Sequence, residues 1–266
     1  MAETRETPPS ALRCALIGSG SAGNATLVAG GATTLLIDCG YSIRAFEERL
    51  QDLALEPSAL TAILVTHEHD DHVGGVDALA RRHGIPVFAT RGTRAACEVR
   101  GGPLPHWHEI PAQAPFQVGD IEVRPIPVPH DARQPSQFIF RAGESSLGVL
   151  TDVGSLTPHV VAEYRACRTL VLEFNHDPEL LAASAYPARL KKRIAGAYGH
   201  FSNAQAQALL RAMQSTTLRH VVAAHLSERT NRPDIVAGCL EASARETTAF
   251  GWSIAAQDRV LPWREV

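Results

Sequence analysis

The stretch Thr66-His67-Glu68-His69-Asp70-Asp71-His72 constrains this chain more than any other. It follows Ala62-Ile63-Leu64-Val65, a short apolar run rich in branched residues that reads as a buried strand. Apolar residues at helical spacing follow over 73–82. The polar stretch is therefore the turn from a strand into a helix. Side chains two apart on an extended backbone point the same way, so His67 and His69 can grip one ion. Asp71 and His72 come after the chain has begun to turn and can face a second. Imidazole nitrogen and carboxylate oxygen suit borderline divalent ions such as zinc. A polar turn without chemistry is the plain alternative, but so many donors side by side are an odd way to build one.

The chain has 266 residues, 45% hydrophobic and 20% charged, enough for one large core. We expect a loose tail over 1–11 and a single domain over 12–266. The net charge of −3 supplies no global basic field for a polyanion, though local basic patches remain open. Cys14, Cys39, Cys97, Cys167 and Cys239 are odd in number and lack C-x-x-C spacing. They read as reduced thiols of a cytoplasmic protein. The N-terminus has no apolar signal core, and no apolar run nears the ~20 residues of a membrane span.

Strands are expected at 12–17, 25–29, 33–38, 62–65, 84–89, 121–128, 137–141, 146–151, 170–174 and 218–224, with a final one at 252–256. Helices are expected near 42–53, 73–82, 91–99, 157–164, 187–194, 202–213 and 232–247. Runs of strands with helices between them suggest two sheets with outer helices. Gly18-Ser19-Gly20-Ser21-Ala22-Gly23-Asn24 is a loop of small residues where a ligand can approach the backbone, or a plain hairpin turn. No Gly-Lys-Ser/Thr follows, so it is not a P-loop. Residues 101–116 read as a proline-rich loop, whose His106-Trp107-His108 has no acidic partner beside it.

Asp38, the His67 cluster, His130, Asp152, His176 and His225 all fall at or just past strand ends. One sheet edge would then present them together. Asp38 closes an apolar strand and must be paired or hydrogen-bonded there. Ser202-Asn203-Ala204-Gln205 is a capping box, and His200 lies just before it. Lys191-Lys192-Arg193 is the densest basic run, a solvated helix face or a phosphate contact. His83, His159 and His220 read as surface or packing residues.

The order His67-x-His69-x-Asp71-His72, then His130, Asp152 and His225, resembles the ligand set of the metallo-β-lactamase fold over nearly the whole chain. That resemblance implies an α+β fold, a four-layered αββα sandwich, with two divalent metal ions (zinc, or manganese) at one edge of the sheets. It implies His67, His69 and His130 on one ion, Asp71, His72 and His225 on the other, and Asp152 bridging. Asp38 would stand behind them, bonding a ligand histidine or a loop amide. The Ser19–Asn24 loop, Glu173-Phe174-Asn175-His176-Asp177, Gly199-His200-Phe201-Ser202-Asn203 and the residues after His225 are similar to the WalJ (YycJ) family. Members are regarded as metal-dependent DNA exonucleases linked to DNA repair. Phe174 and Phe201 depart from that family's pattern.

The expected function is therefore a dinuclear phosphodiesterase or exonuclease acting on DNA, by attack of metal-activated hydroxide on phosphorus. Asp71 and His200 would be catalytic. Ser19, Ser21, Asn24, Asn175, His176, Ser202, Asn203 and Arg229 would contact substrate. The alternative is a small-molecule hydrolase of a lactone, thioester or cyclic phosphodiester, which the net negative charge would suit better than a long polyanion.

Overall fold

The computed structural model describes residues 11–103 and 106–266, the side chains of 100 and 101 excepted. The tail expected over 1–11 lies outside them apart from Ala11. The chain builds one sheet first: β1 (Arg13–Gly18), β2 (Ala25–Gly30), β3 (Thr33–Ile37), β4 (Ala62–Leu64), β5 (Val87–Ala89) and β6 (Trp107–Glu109). A second sheet follows: β7 (Phe116–Val118), β8 (Ile121–Pro127), β9 (Ser136–Ala142), β10 (Ser145–Leu150), β11 (Thr169–Glu173), β12 (His220–Ala224) and β13 (Gly251–Ile254). The last strand, β14 (Leu261–Glu265), returns to the first sheet and pairs with β1. The sheet orders are β14-β1-β2-β3-β4-β5-β6 and β13-β12-β11-β10-β9-β8-β7.

Strand alternation sorts the core into three layers. Leu35, Ile37, Leu64, Phe138, Phe140, Val149, Val171 and Val222 pack between the sheets. Their neighbours Leu36 and Ile63 face outward under Phe46, Leu50, Val76 and Leu79. Those four come from α1 (Ile43–Gln51) and α3 (Val76–His83). On the other side Leu170, Leu172, Val221 and Ala223 face Tyr164, Leu209, Met213, Val236 and Leu240. Here the helices are α5 (Pro158–Tyr164), α8 (Asn203–Met213) and α9 (Pro233–Glu246). The result is the helix–sheet–sheet–helix sandwich expected from the sequence. Phe174 and Phe201 are both fully buried in this last layer. No helix among the described residues is long and apolar enough to cross a membrane.

Strands β3 to β6 run parallel, as do β10 to β13. Parallel neighbours need long crossovers, so successive C-terminal ends, and the loops after them, meet at one edge. Strand β8 joins them because β8 and β10 are both antiparallel to β9.

Four features differ from the sequence reading. The histidine-bearing loop at 101–116 holds strand β6, parallel to β5. Strands β7 and β14 were not expected, so 252–256 is not the final strand. All three are edge strands with more polar residues than most interior ones, and β14 carries Pro262, which an edge accommodates readily. A short helix, α6 (Pro178–Ala183), precedes α7 (Ala188–Ile194). Finally, the helix expected over 73–82 is two pieces, α2 (Asp70–Val73) and α3, parted at Gly74-Gly75. A Cβ on Gly75 would sit 2.0 Å from the Tyr41 carbonyl oxygen, and one on Gly40 would sit 1.9 Å from that of Asp71. The chain before α1 thus lies directly against the turn that carries Asp71.

Candidate metal centre

The centre is assembled at the C-terminal strand ends, and its backbone is bent to suit. Asp38, Asp152 and His225 follow β3, β10 and β12, and all three are non-glycine residues with positive φ, at 58°, 51° and 55°. Such left-handed conformations cost an L-residue of order 1 kcal/mol or more and gather at functional sites. Here each turns a side chain back toward the sandwich edge.

Two buried carboxylates orient the histidines. Asp38 accepts from the Thr66 amide at 2.8 Å, the Thr66 hydroxyl at 2.7 Å and His72 Nδ1–H at 2.7 Å. The Thr66 hydroxyl in turn accepts from His67 Nδ1–H at 2.9 Å. In the other sheet Glu173 Oε1 accepts from His225 Nδ1–H at 2.8 Å and His200 Nδ1–H at 2.9 Å. Its Oε2 accepts from the Val153 and Phe201 amides at 3.1 and 2.9 Å. His130 Nδ1–H donates to the Gly199 carbonyl at 3.0 Å. In His67, His72, His130 and His225 the Nδ1 proton is thus taken, which leaves Nε2 for a further partner: a lone pair in neutral His67 and His130, and one that an ion would free by displacing a proton in His72 and His225.

Those lone pairs converge. His67 Nε2 and His130 Nε2 lie 3.0 and 3.3 Å from His69 Nδ1. A tetrahedral zinc with nitrogens at ~2.05 Å would space its ligands about 3.3 Å apart, so this trio fits one ion. Asp71 Oδ2 lies 3.4 Å from His72 Nε2 and 3.5 Å from His225 Nε2, a second set of three donors. Asp152 stands between, Oδ2 at 3.1 Å from His72 Nε2 and Oδ1 at 3.8 Å from His130 Nε2. His225 Nε2 and Asp152 Oδ2 are both buried without a hydrogen-bond partner. Orphaned buried polar atoms are costly, and two of them aimed at one place suit a cation. Asp152, Glu173, His200 and His225 are also close enough to hold an ion. There, however, both histidines spend Nδ1–H on Glu173, which already satisfies the contact.

The electrostatics of the metal-free centre set charged groups apart from neutral ones. Burial alone would raise the Glu173 carboxyl, but His200 and His225 beside it hold it down at about 2. Burial opposes charge on His225 too, yet Asp152, Asp71 and Glu173 push it up to about 10. Against its own burial, Asp152 is held well below the carboxylate range, first by His225 and then by His72. His67 and His130 are pushed down, chiefly by burial, which keeps their imidazoles neutral and able to ligate.

A cleft of about 310 Å³ opens over the centre, lined by Ser21, His69, Asp70, Asp71, Asp152, Arg193, His200 and His225. Of the expected substrate contacts only Ser21 lines it. Ser19 and Asn24 are buried: Ser19 Oγ donates to Asn24 and accepts from the His225 amide, and the Asn24 amide donates to the Asp71 carbonyl at 2.8 Å. Asn175 donates to the His225 carbonyl, Asn203 pairs with Asn231, and Ser202 caps α8 with Gln205. His176 is buried too, and its backbone bridges to Ser202. These short polar side chains serve the backbone of tight loops, so they brace the centre from behind. Arg229 is exposed, 5.8 Å from the Tyr186 ring.

Sequence reasoning missed Glu173 as a site residue. The signal was there: a carboxylate closing an apolar strand, as with Asp38. It also missed Asp131, whose carboxylate takes Arg193 Nε–H at 2.6 Å and whose other oxygen lies 3.5 Å from His130 Nε2.

Residues 33–226 match the model of the Beta-lactamase superfamily domain. The chain is 33% identical over 230 residues to exodeoxyribonuclease YycJ of Bacillus anthracis, covering 84% of this chain and 86% of that protein. It is 33% identical over 223 residues to exodeoxyribonuclease WalJ of Streptococcus pneumoniae serotype 2, covering 81% and 82%. The crystal structure of the metallo-β-lactamase fold protein YhfI from Bacillus subtilis superposes with a TM-score of 0.72 at 15% identity, over 94% of this chain and 98% of that one. The αββα sandwich, the strand-end cluster of histidines and aspartates and these matches lead to one conclusion: the chain belongs to the β-lactamase superfamily, in the family of the exodeoxyribonucleases YycJ and WalJ.

Proposed function

We propose that this protein is a dinuclear metal-dependent phosphodiesterase that digests DNA from an end. The observation that carries the reading is the pair of orphaned buried atoms, His225 Nε2 and Asp152 Oδ2, beside a trio of imidazole nitrogens at ligand spacing. In this reading His67, His69 and His130 would hold one ion and Asp71, His72 and His225 the other, with Asp152 as a donor standing between the two sets. When bound, a pair of divalent ions, zinc or manganese, would supply hydroxide at neutral pH and offset charge on phosphoryl oxygens.

The chain's own residues do the rest. Asp38 and Glu173 hold the ligand imidazoles in one tautomer, so that no reorientation is needed as charge develops. Asp71 turns the nucleophile toward phosphorus from its place on the cleft wall. His200, fixed by Glu173 through Nδ1–H, protonates the departing oxygen. Arg193 stands over the same cleft and neutralises phosphate. DNA as substrate rests on the similarity to YycJ and WalJ, which are named exodeoxyribonucleases. All five cysteines are free thiols, in keeping with a cytoplasmic enzyme.

The test is hydrolysis of end-labelled DNA with manganese or zinc added. Wild type should release nucleotides from the end, and Asp71→Ala should be slower by ~10³-fold or more, as expected when an ion that clamps the reacting phosphate is lost. Equal rates would sink the proposal.

A further inference from the structure

The segment from α7 to His200 is tied to the centre more firmly than a surface loop needs to be. The Asp131 amide donates to the Tyr198 carbonyl at 3.0 Å, and His130 Nδ1–H donates to the next carbonyl, Gly199, also at 3.0 Å. Within the segment, the Gly199 amide bonds the Gly196 carbonyl and the His200 amide bonds that of Ile194, both at 2.9 Å. A Cβ on Gly199 would come 2.2 Å from the Ile194 oxygen, and one on Gly154 would come 2.5 Å from that of Ala197. The backbone is thus clamped from two sides. Yet the Tyr198 side chain, in the middle of it, is left 64% exposed.

Arg193 projects from the same segment. It lines the cleft, and among the described residues only its Nε–H is engaged, by Asp131 at 2.6 Å. The other guanidinium hydrogens form a fork suited to phosphate. Asp131, next to His130, therefore anchors both residues: its backbone holds Tyr198 and its carboxylate holds Arg193. An exposed aromatic side chain and a cation carried on one clamped stretch of backbone suit sequence-tolerant binding of a nucleic-acid strand, bases on the ring and phosphates on the cation.

We propose that Tyr198 and Arg193 form the platform for the terminal nucleotide of the DNA strand, its base stacked on Tyr198 and its phosphate held by Arg193. Asp131 is the positioning residue for both. The proposal rests on the nuclease reading above. It adds that the enzyme recognises an end through an unstacked base, whatever the identity of that base.

The experiment compares wild type, Y198A, Y198W and R193A, loaded with manganese, on a labelled single strand and on the same strand with abasic residues at its end. On the base-bearing strand Y198A should raise KM by ~5–100-fold, the range of base–aromatic stacking, with kcat changed by less than about threefold. Y198W should restore KM. On the abasic end Tyr198 substitutions should have no effect, whereas R193A should raise KM by ~10-fold on both strands through loss of a charge-assisted contact. An unchanged KM in Y198A, or an equal loss on the abasic strand, would overturn the platform. If wild type degrades neither strand, the nuclease reading falls instead. The platform is then judged by fluorescence anisotropy of the labelled strand, where Y198A should bind it at least ~5-fold more weakly than wild type. Equal binding would overturn it.

Discussion

Asp38 and Glu173 invite comparison, because each sheet ends in one buried carboxylate that orients two histidines. Asp38, after β3, fixes His72 directly and His67 through the Thr66 hydroxyl. Both of those imidazoles face the proposed ions. Glu173, at the end of β11, fixes His225, which does the same, and His200, which is free to meet substrate. Asp38 spends one oxygen on an amide and the other on a rotatable hydroxyl and an imidazole. Glu173 has all four of its acceptor sites taken by N–H donors, two of them backbone amides and two of them imidazoles. In the proposed mechanism the first sheet's carboxylate therefore serves grip alone, whereas the second couples grip to proton delivery.

The comparison is broken most readily by Glu173→Gln. The amide would set an NH2 group against either two histidine donors or two backbone amides. We expect kcat to fall by ~10³-fold, and stability to fall by about 2–4 kcal/mol from the unpaired donors. Steady-state kinetics and urea unfolding measure both. A variant within threefold of wild type would show that His200 needs no fixing.

Acid unfolding of metal-free protein separates the two carboxylates by sign. Glu173 is lowered from 4.5 to about 2, so its ionisation contributes fully above pH 4.5 and is lost as pH falls through 2. The amount is about 3 kcal/mol. Burial raises Asp38, so its contribution is greatest below 3.8 and is lost as pH rises through its folded-state value. Between about pH 5 and 2.5, E173Q should lose stability less steeply than wild type, and D38N more steeply. Parallel curves would erase the distinction.

Asp38→Asn should act on metal retention. Losing the acceptor behind two imidazoles typically costs 10–100-fold in affinity. Competition with a chelator should show that loss, with kcat recovered at saturating manganese. If kcat stays low when the sites are full, Asp38 is doing more than holding. The smallest effect is expected of Thr66→Val, which leaves His72 on Asp38 and frees only His67. It should weaken metal binding by about 10-fold or less and lower stability by ~1 kcal/mol.

The residues that converge at the candidate centre were legible because their chemistry is local: H-x-H on an extended backbone, then donors at strand ends. The sandwich was legible because interior strands carry short apolar runs, Leu35-Leu36-Ile37 in β3 and Leu170-Val171-Leu172 in β11. Glu173 escaped because its meaning lies in His200 and His225, far along the chain, and a lone glutamate after an apolar run looks like a strand ending in solvent. Ser19, Asn24, Asn175 and Asn203 look like substrate donors in a sequence, since nothing local says that a loop's own amides will claim them. Edge strands β6, β7 and β14 were hidden for the opposite reason: an edge makes few demands on composition, so it leaves little trace.

The left-handed backbone at Asp38, Asp152 and His225 sets the protein's durability against its purpose. Glycine at any of the three would relax the chain and firm the empty scaffold, at the expense of the donor that made the bend worthwhile. A lineage selected for heat resistance alone would drift toward such replacements. Retention of bulky residues at these corners is therefore a mark of use.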